Sequence, residues 1–173
     1  MPNIFITSDH HFNHASICKF LNFDGTPVRS FDNVNEMNEV MIDRWNGVVK
    51  PADKTYHIGD FALGKQGPHI ASRLNGDKVL IKGNHDNFKL KDYALYFRDV
   101  RASHRLDNFI LSHIPLHLTQ LVKIKANIHG HLHNNIVYQD ENYTIPDNRY
   151  FNVSVERHNY TPVAFEDIKK LYQ

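Results

Sequence analysis

The chain has a single cysteine, Cys18, and a single tryptophan, Trp45, in 173 residues. One thiol cannot close an internal disulfide, and zinc modules built on clustered cysteines are excluded with it. Excess charge of either sign is missing too: 20 Lys and Arg face 19 Asp and Glu, leaving +1 at pH 7. That balance excludes a protein held on nucleic acid chiefly by a basic field, although not one that takes a short nucleic-acid end. No apolar run approaches the roughly 20 residues of a membrane-spanning helix. The opening MPNIFITSDH reaches an acid at Asp9, too early for a signal peptide, so the expectation is a soluble, cytoplasmic protein. With 41% hydrophobic and 23% charged residues a sizeable core is within reach. The length suits one domain over residues 1–173.

Histidine, by contrast, is plentiful, at 13 residues. Their placement follows the predicted elements. A β-branched and aromatic run, Asn3 to Ser8, reads as a strand and stops at Asp9-His10-His11. A helix is expected over His14 to Phe20. The clearest helix begins at Asn33, where Asn33-Val34-Asn35-Glu36 has the form of a capping box. Val34, Met37, Met41, Trp45 and Val48 then recur at three- and four-residue spacing on one face. Further strands are predicted at Thr55–Ile58, Val79–Lys82, Phe109–Leu111, Asn127–His129 and Tyr150–Val155, with helices at Pro68–Leu74 and Phe165–Tyr172. No repeat, low-complexity tract or interdomain linker interrupts them.

Five of these strands end in a short polar loop carrying Asp, Asn or His, often beside Gly. Loops at the carboxyl ends of strands are where α/β proteins build sites. Asp9, His11, Asp60, Asn84, His113, His131 and His133 stand in them, a donor set of imidazole and oxygen without sulfur. Such donors suit Zn, Mn, Fe, Co or Ni better than Ca or a thiophilic ion. Seven exceed the need of one four-coordinate ion and fit two ions sharing a carboxylate. Two ions roughly 3.5–4 Å apart can lower the pKa of a bridging water and clamp phosphoryl oxygens during in-line displacement.

The series Asp9-x-His11, Gly59-Asp60, Gly83-Asn84-His85-Asp86, Ser112-His113 and Gly130-His131-x-His133 resembles that of the calcineurin-like metallophosphoesterases, with all five blocks in order. The tail Asn152-Val153-Ser154-Val155-Glu156, with Tyr160-Thr161-Pro162-Val163, is similar to small stand-alone bacterial and phage members. The resemblance implies an α/β (α+β) fold, a β-sandwich flanked by helices (αββα) with the metal site along one edge. It implies that Asp9, His11 and His133 hold a first metal, that Asp60 bridges, and that Asn84, His113 and His131 complete a second. Manganese is the first expectation, with Fe, Zn, Ni or Co as alternatives. His85 is implied as general acid toward the leaving group, with Asp86 orienting its ring.

The activity this implies is hydrolysis of a phosphate ester by a metal-bridging hydroxide while His85 protonates the departing alkoxide. Acid assistance contributes roughly 10²–10⁴-fold and matters most for a basic leaving group, which favours diesters of alkyl alcohols. A phosphomonoesterase or a nuclease is the alternative. A non-catalytic binding scaffold of the same fold is the rival from another class, although it would be expected to have lost ligands. The short chain leaves little room for capping domains, so a small or flexible phosphate ester is expected, such as a nucleotide or cyclic nucleotide. No membrane partner is expected.

The remaining candidates have plainer readings. His14 stands near a helix start, where an anion could dock, and competes with a helix-surface histidine. His10 reads as a packed or hydrogen-bonded neighbour of a ligand. His57 and His129 precede their loops inside strands and are expected in the packing or behind the ligands. His69, His104, His117 and His158 read as solvated, Cys18 as a buried small hydrophobe and Trp45 as core. Arg29, Arg44, Lys65 and Lys82 could meet a substrate phosphate, but read better as ordinary surface cations.

Overall fold

Asn33 accepts hydrogen bonds from the amides of Asn35 and Glu36 through its side chain, and this cap opens helix α1 (Val34–Val48). Glu36 reaches back to the Asp32 amide at 2.7 Å, one residue earlier than a capping box requires. Met37, Met41 and Trp45 are wholly buried, Asn38 and Ile42 widen the face, and Val34 and Val48 pack at its margin. The computed structural model describes residues 2–22, 24–64 and 67–173, so Lys65 lies outside the described residues.

Among the described residues nine strands form two sheets. They are β1 (Ile4–Thr7), β2 (Lys54–His57), β3 (Asp77–Ile81), β4 (Asp99–Arg101), β5 (Ser103–Leu106), β6 (Phe109–Ser112), β7 (Ala126–His129), β8 (Tyr150–Asn152) and β9 (Val163–Ala164). The first sheet has the order β4-β3-β2-β1-β9, parallel except for β9, and the second β5-β6-β7-β8, with β5 antiparallel to β6. Alternation along the strands sorts residues to the two faces of the first sheet. Phe5 and Leu80 join α1, Phe12, Phe61 and Tyr93 in one core, whereas Ile6, Val79 and Ile81 turn the other way. There they meet Phe109, Leu111, Ala126 and Ile128 of the second sheet, which makes the mixed α/β sandwich. Each buried Val, Leu, Ile or Phe among them contributes about 1.5–3 kcal/mol by leaving water. The outer side of the second sheet is met by the 113–121 segment, where the Tyr150 hydroxyl donates to the Leu116 carbonyl at 2.6 Å.

Several expected elements are shorter or tighter. The segments read as helices at His14–Phe20 and Pro68–Leu74 are 3-10 turns, Ala15–Lys19 and Gly67–Arg73. The strand expected over Tyr150–Val155 stops at Asn152, whose side-chain oxygen accepts from the Ser154 amide and hydroxyl and bends the chain into a 3-10 turn, Val155–His158. Strands β4, β5 and β9 and the short helix α2 (Leu90–Tyr93) had no counterpart in the sequence reading. Helix α3 (Phe165–Lys170) closes the inter-sheet core with Phe165 and Ile168. No helix among the described residues is long and apolar enough to cross a membrane.

Candidate metal centre

The loops after β1 and β2 run side by side. The amides of Asp9, His11 and Phe12 donate to the carbonyls of Gly59, Asp60 and Phe61, each at 3.0 Å. This ladder brings Asp9 and His11 against Asp60. Asn38 of α1 steadies the first loop from behind, donating to Asn13 Oδ1 at 2.7 Å. From the second sheet, the His131 amide donates to the Asp9 carboxylate at 2.9 Å, and the Gly130 amide to the His113 carbonyl at 2.9 Å. At Gly130 a Cβ would collide with Ser8 and with Asp9 itself, so only glycine lets these loops close.

Two groups result. One ligand atom each from Asp9, His11 and His133 lies within 4.8 Å of the others, and the same holds for Asp60, His113 and His131. Asp60 Oδ2 is 3.5 Å from His11 Nε2 and 3.4 Å from His113 Nε2, so its carboxylate stands between the groups. Asn84 Oδ1 is 3.0 Å from both His113 Nε2 and His131 Nδ1. All seven expected ligands therefore converge. Asp9, His11, Asp60, His131 and His133 adopt left-handed backbone conformations, with φ from 49° to 69°. For residues other than glycine this costs about 1–3 kcal/mol each and clusters at functional sites.

The electrostatics fit divalent cations. Both ring nitrogens of His11 are buried without a hydrogen-bond partner. Burial, with Arg29 adding to it, pushes this imidazole down to about 2, so the ring is neutral with a free lone pair. Its Nε2 lies 3.5 Å from the Asp60 carboxylate, and a neutral imidazole beside a carboxylate is a pair of donors suited to a divalent cation. His113 donates through Nδ1 to the Ile58 carbonyl at 2.9 Å, which leaves Nε2 toward the centre. Burial alone would lower its pKa, but Asp60 and Asp9 raise it above the ordinary value. Burial opposes, and the Glu156 carboxylate causes, the same rise at His133.

Glu156 and Arg29 stand directly behind the candidate ligands, a placement that sequence reasoning missed. Glu156 Oε1 accepts from His133 Nδ1 at 2.8 Å, orienting the ring so that Nε2 can serve as ligand. Arg29, read as a surface cation, has a side chain 0% exposed beside a Glu156 side chain 2% exposed. Its Nη2 donates to Glu156 at 2.6 Å and its Nη1 to the His10 carbonyl at 2.6 Å. Burial would raise the Glu156 carboxyl, but the His133 hydrogen bond and the Arg29 charge bring it down to about 2. The acid in the tail block Val153-Ser154-Val155-Glu156 was the available signal; Ser154 donates to Asp9 Oδ2 at 2.9 Å.

The role expected of Asp86 is corrected. Its carboxylate accepts from the amides of Asp60 and Gly83 at 2.8 Å and of Phe61 at 3.0 Å, so it ties two ligand loops together. No hydrogen bond links it to the His85 ring among the described residues. His85 is exposed on the wall of a cavity of about 1010 Å³, its ring 5.3 Å from that of His11. His14 lies on the same wall.

The other histidines divide. His10 is buried and paired with His57 at 2.9 Å, and buried His129 is 2.8 Å from the Gly130 carbonyl. His69 and His117 are exposed as expected. His104 and His158 are instead half-buried, stacked on Tyr56 and Phe151. Cys18 is half-buried, its Sγ 3.8 Å from Met37 Sδ. Arg44 bonds the Asn159 carbonyl.

Because each group draws on both sheets, an ion bound there would join them. Chelator-treated protein is expected to melt at about 5–10 °C below protein with excess Mn, since ligand at a hundredfold over Kd contributes about 2.7 kcal/mol and each kcal/mol shifts a chain of this size by about 2–4 °C. Coincident melting curves with and without metal would rule out uptake at the site.

No family model matches the chain. The uncharacterized protein MJ1445 of Methanocaldococcus jannaschii is 38% identical over 178 residues, covering 100% of this chain and 93% of the relative. Among solved structures, a protein of unknown function from Aquifex aeolicus, AQ665, superposes over 99% of this chain and 100% of its own with a TM-score of 0.68 and 23% identity, which shows a shared fold. A novel archaeal phosphodiesterase is similar over 88% of this chain and 82% of its own, at 17% identity and a TM-score of 0.46, too slight a likeness to carry an argument. Identity of 38% sustained along the entire chain is the mark of common descent, and the protein belongs to the family of Methanocaldococcus jannaschii MJ1445.

Proposed function

We propose that the protein is a two-metal phosphoesterase that hydrolyses a phosphodiester of a small molecule, a nucleotide derivative being the first choice. The observation that carries this reading is Asp60, one carboxylate standing 3.5 Å and 3.4 Å from imidazoles of two separate ligand groups. Asp9, His11 and His133 would hold one ion, Asn84, His113 and His131 the other, and Asp60 both. Two divalent transition ions, when bound, supply positive charge for phosphoryl oxygens and activation of water.

The chain's own residues supply the rest. Glu156 fixes the His133 ring and Asp86 fixes the spacing of the Asp60 and Gly83 loops. His85 projects into the cavity beside His11 and His133 without a hydrogen-bond partner for its ring among the described residues. It is therefore placed to carry a proton and give it to the oxygen of the departing alcohol. The apolar cavity wall of Ile17, Phe20 and Leu21 receives that alcohol. A near-neutral chain offers no long track for a nucleic-acid backbone, which sets the nuclease reading behind the small-molecule one.

The test joins metal content with hydrolysis of bis(p-nitrophenyl) phosphate, p-nitrophenyl phosphate and an alkyl phosphodiester, with and without Mn. His85→Ala is expected to lose about 10²–10⁴-fold on the alkyl diester and far less on the aryl esters, whose leaving groups need little protonation. Equal losses on all three would remove the acid role. Metal-replete protein inactive on every ester, a nucleotide panel included, would remove the phosphoesterase reading.

A further inference from the structure

The candidate centre is open on two sides, and the two sides differ in charge. The larger cavity, about 1010 Å³, presents His11, His85 and His133 on one wall and Ile17, Phe20 and Leu21 on the other. Phe20 and Leu21 are 49% and 63% exposed, large apolar side chains left uncovered at its mouth. Among its described lining residues there is no lysine or arginine, and Asp24 adds negative charge. The smaller cavity, about 680 Å³, opens on Asn84 and His113 from the other side; its wall is largely apolar, with Leu90, Val100, Ile114 and Leu116, and Lys82 and Arg101 are its cations. Arg101 is committed elsewhere, donating from Nε to Asp99 at 2.6 Å and facing His104 at 2.6 Å. Lys82 is held by its main chain, whose amide donates to the Arg101 carbonyl at 2.9 Å. Its ammonium has neither ion pair nor hydrogen bond among the described residues.

We propose that the substrate is an asymmetric phosphodiester bound in one direction: an uncharged, ring-bearing alcohol lies in the larger cavity against Phe20, and the half that keeps the phosphoryl group carries a second phosphate, held by Lys82. The inference rests on the phosphoesterase reading, because His85 marks the larger cavity as the leaving-group side. An apolar wall with exposed aromatic surface suits a ring, and a mouth that adds Asp24 but no lysine or arginine among its described lining residues offers a second phosphate no partner beyond the centre itself. Lys82 lines the same cavity as Asn84 and His113, and a compact ammonium on a flexible stem suits a phosphate oxygen there. Hydrolysis then forms one P–O bond from water, breaks the P–O bond to the alcohol and leaves a proton on the alcohol oxygen. The products are a neutral alcohol and a bisphosphate.

Binding separates this proposal from the activity beneath it. Thymidine 3′,5′-bisphosphate and thymidine 5′-phosphate are titrated calorimetrically into metal-replete protein, into Lys82→Gln and into Lys82→Arg. The wild type is expected to bind the bisphosphate about tenfold more tightly, as one charge-assisted contact permits. The ratio should fall toward one in Lys82→Gln and survive in Lys82→Arg. Equal affinities in the wild type, or a ratio untouched by Lys82→Gln, would overturn the proposal. Protein that hydrolyses bis(p-nitrophenyl) phosphate yet binds both nucleotides alike keeps the phosphoesterase reading and loses this one. Protein that hydrolyses no ester loses both.

Discussion

Asp60→Asn should lower metal-dependent diester hydrolysis by at least about a thousandfold, equivalent to roughly 4 kcal/mol of barrier, and reduce the ions bound per chain. The substitution is small in every other respect. Asparagine keeps an oxygen to accept from the His85 amide, the contact Asp60 Oδ1 makes at 2.8 Å. It also tolerates the left-handed backbone at φ 55° better than most residues. What it removes is the negative charge between His11 and His113. Ions sharing a carboxylate repel one another less than ions that do not, so the loss is felt at both groups. Circular dichroism should be unchanged, and kcat/KM on bis(p-nitrophenyl) phosphate should collapse. Full activity in this variant would refute the two-metal reading.

Glu156→Ala should destabilise the protein by about 3–5 kcal/mol, the usual cost of leaving a buried charge unpaired. For a chain of this size that lowers Tm by about 10 °C. Arg29 is the reason. Its side chain is wholly buried, and apart from Glu156 its nearest partners are main-chain carbonyls, which cannot neutralise it. Pairing Glu156→Ala with Arg29→Met should recover part of the loss, since a packed apolar pair often matches a buried ion pair. Metal affinity should not recover with it, because His133 has lost the acceptor for Nδ1, a contact typically worth 10–100-fold in affinity. A melting temperature within a degree or so of wild type would mean that water reaches Arg29 and the pair is not buried in solution.

The ligands were legible in the sequence because their chemistry is local: an Asp, Asn or His where an apolar strand ends, next to glycines that let neighbouring loops touch. Helix α1 was legible for a similar reason, since Asn33 and the Met37, Met41, Trp45 stripe follow one another at intervals of about one turn. Arg29 was not, because nothing near it in sequence marks it as buried; its partner is 127 positions away. Asp86 was misread because adjacency suggested the ring of His85, whereas its carboxylate is saturated by amides from a loop 25 and 26 positions earlier. Strands β4 and β5, Asp-Val-Arg and Ser-His-Arg-Leu, carry no strand pattern of their own. They are strands because β3 and β6 offer them partners in register.

The convergence of both sheets on one edge also orders events in time. Asp9 and the amide of His131 that holds it are 122 positions apart, and Asp9 and the hydroxyl of Ser154 are 145 apart. At ordinary speeds of synthesis, Asp9 and His11 leave the ribosome on the order of ten seconds before His131 and His133 exist. For that interval a nascent chain carries at most Asp9, His11, Asp60, Asn84 and His113, without the His131–His133 loop that completes both groups. Choice of metal therefore belongs to the finished fold, where donor number and spacing come from both sheets, and the first ion to arrive has no advantage.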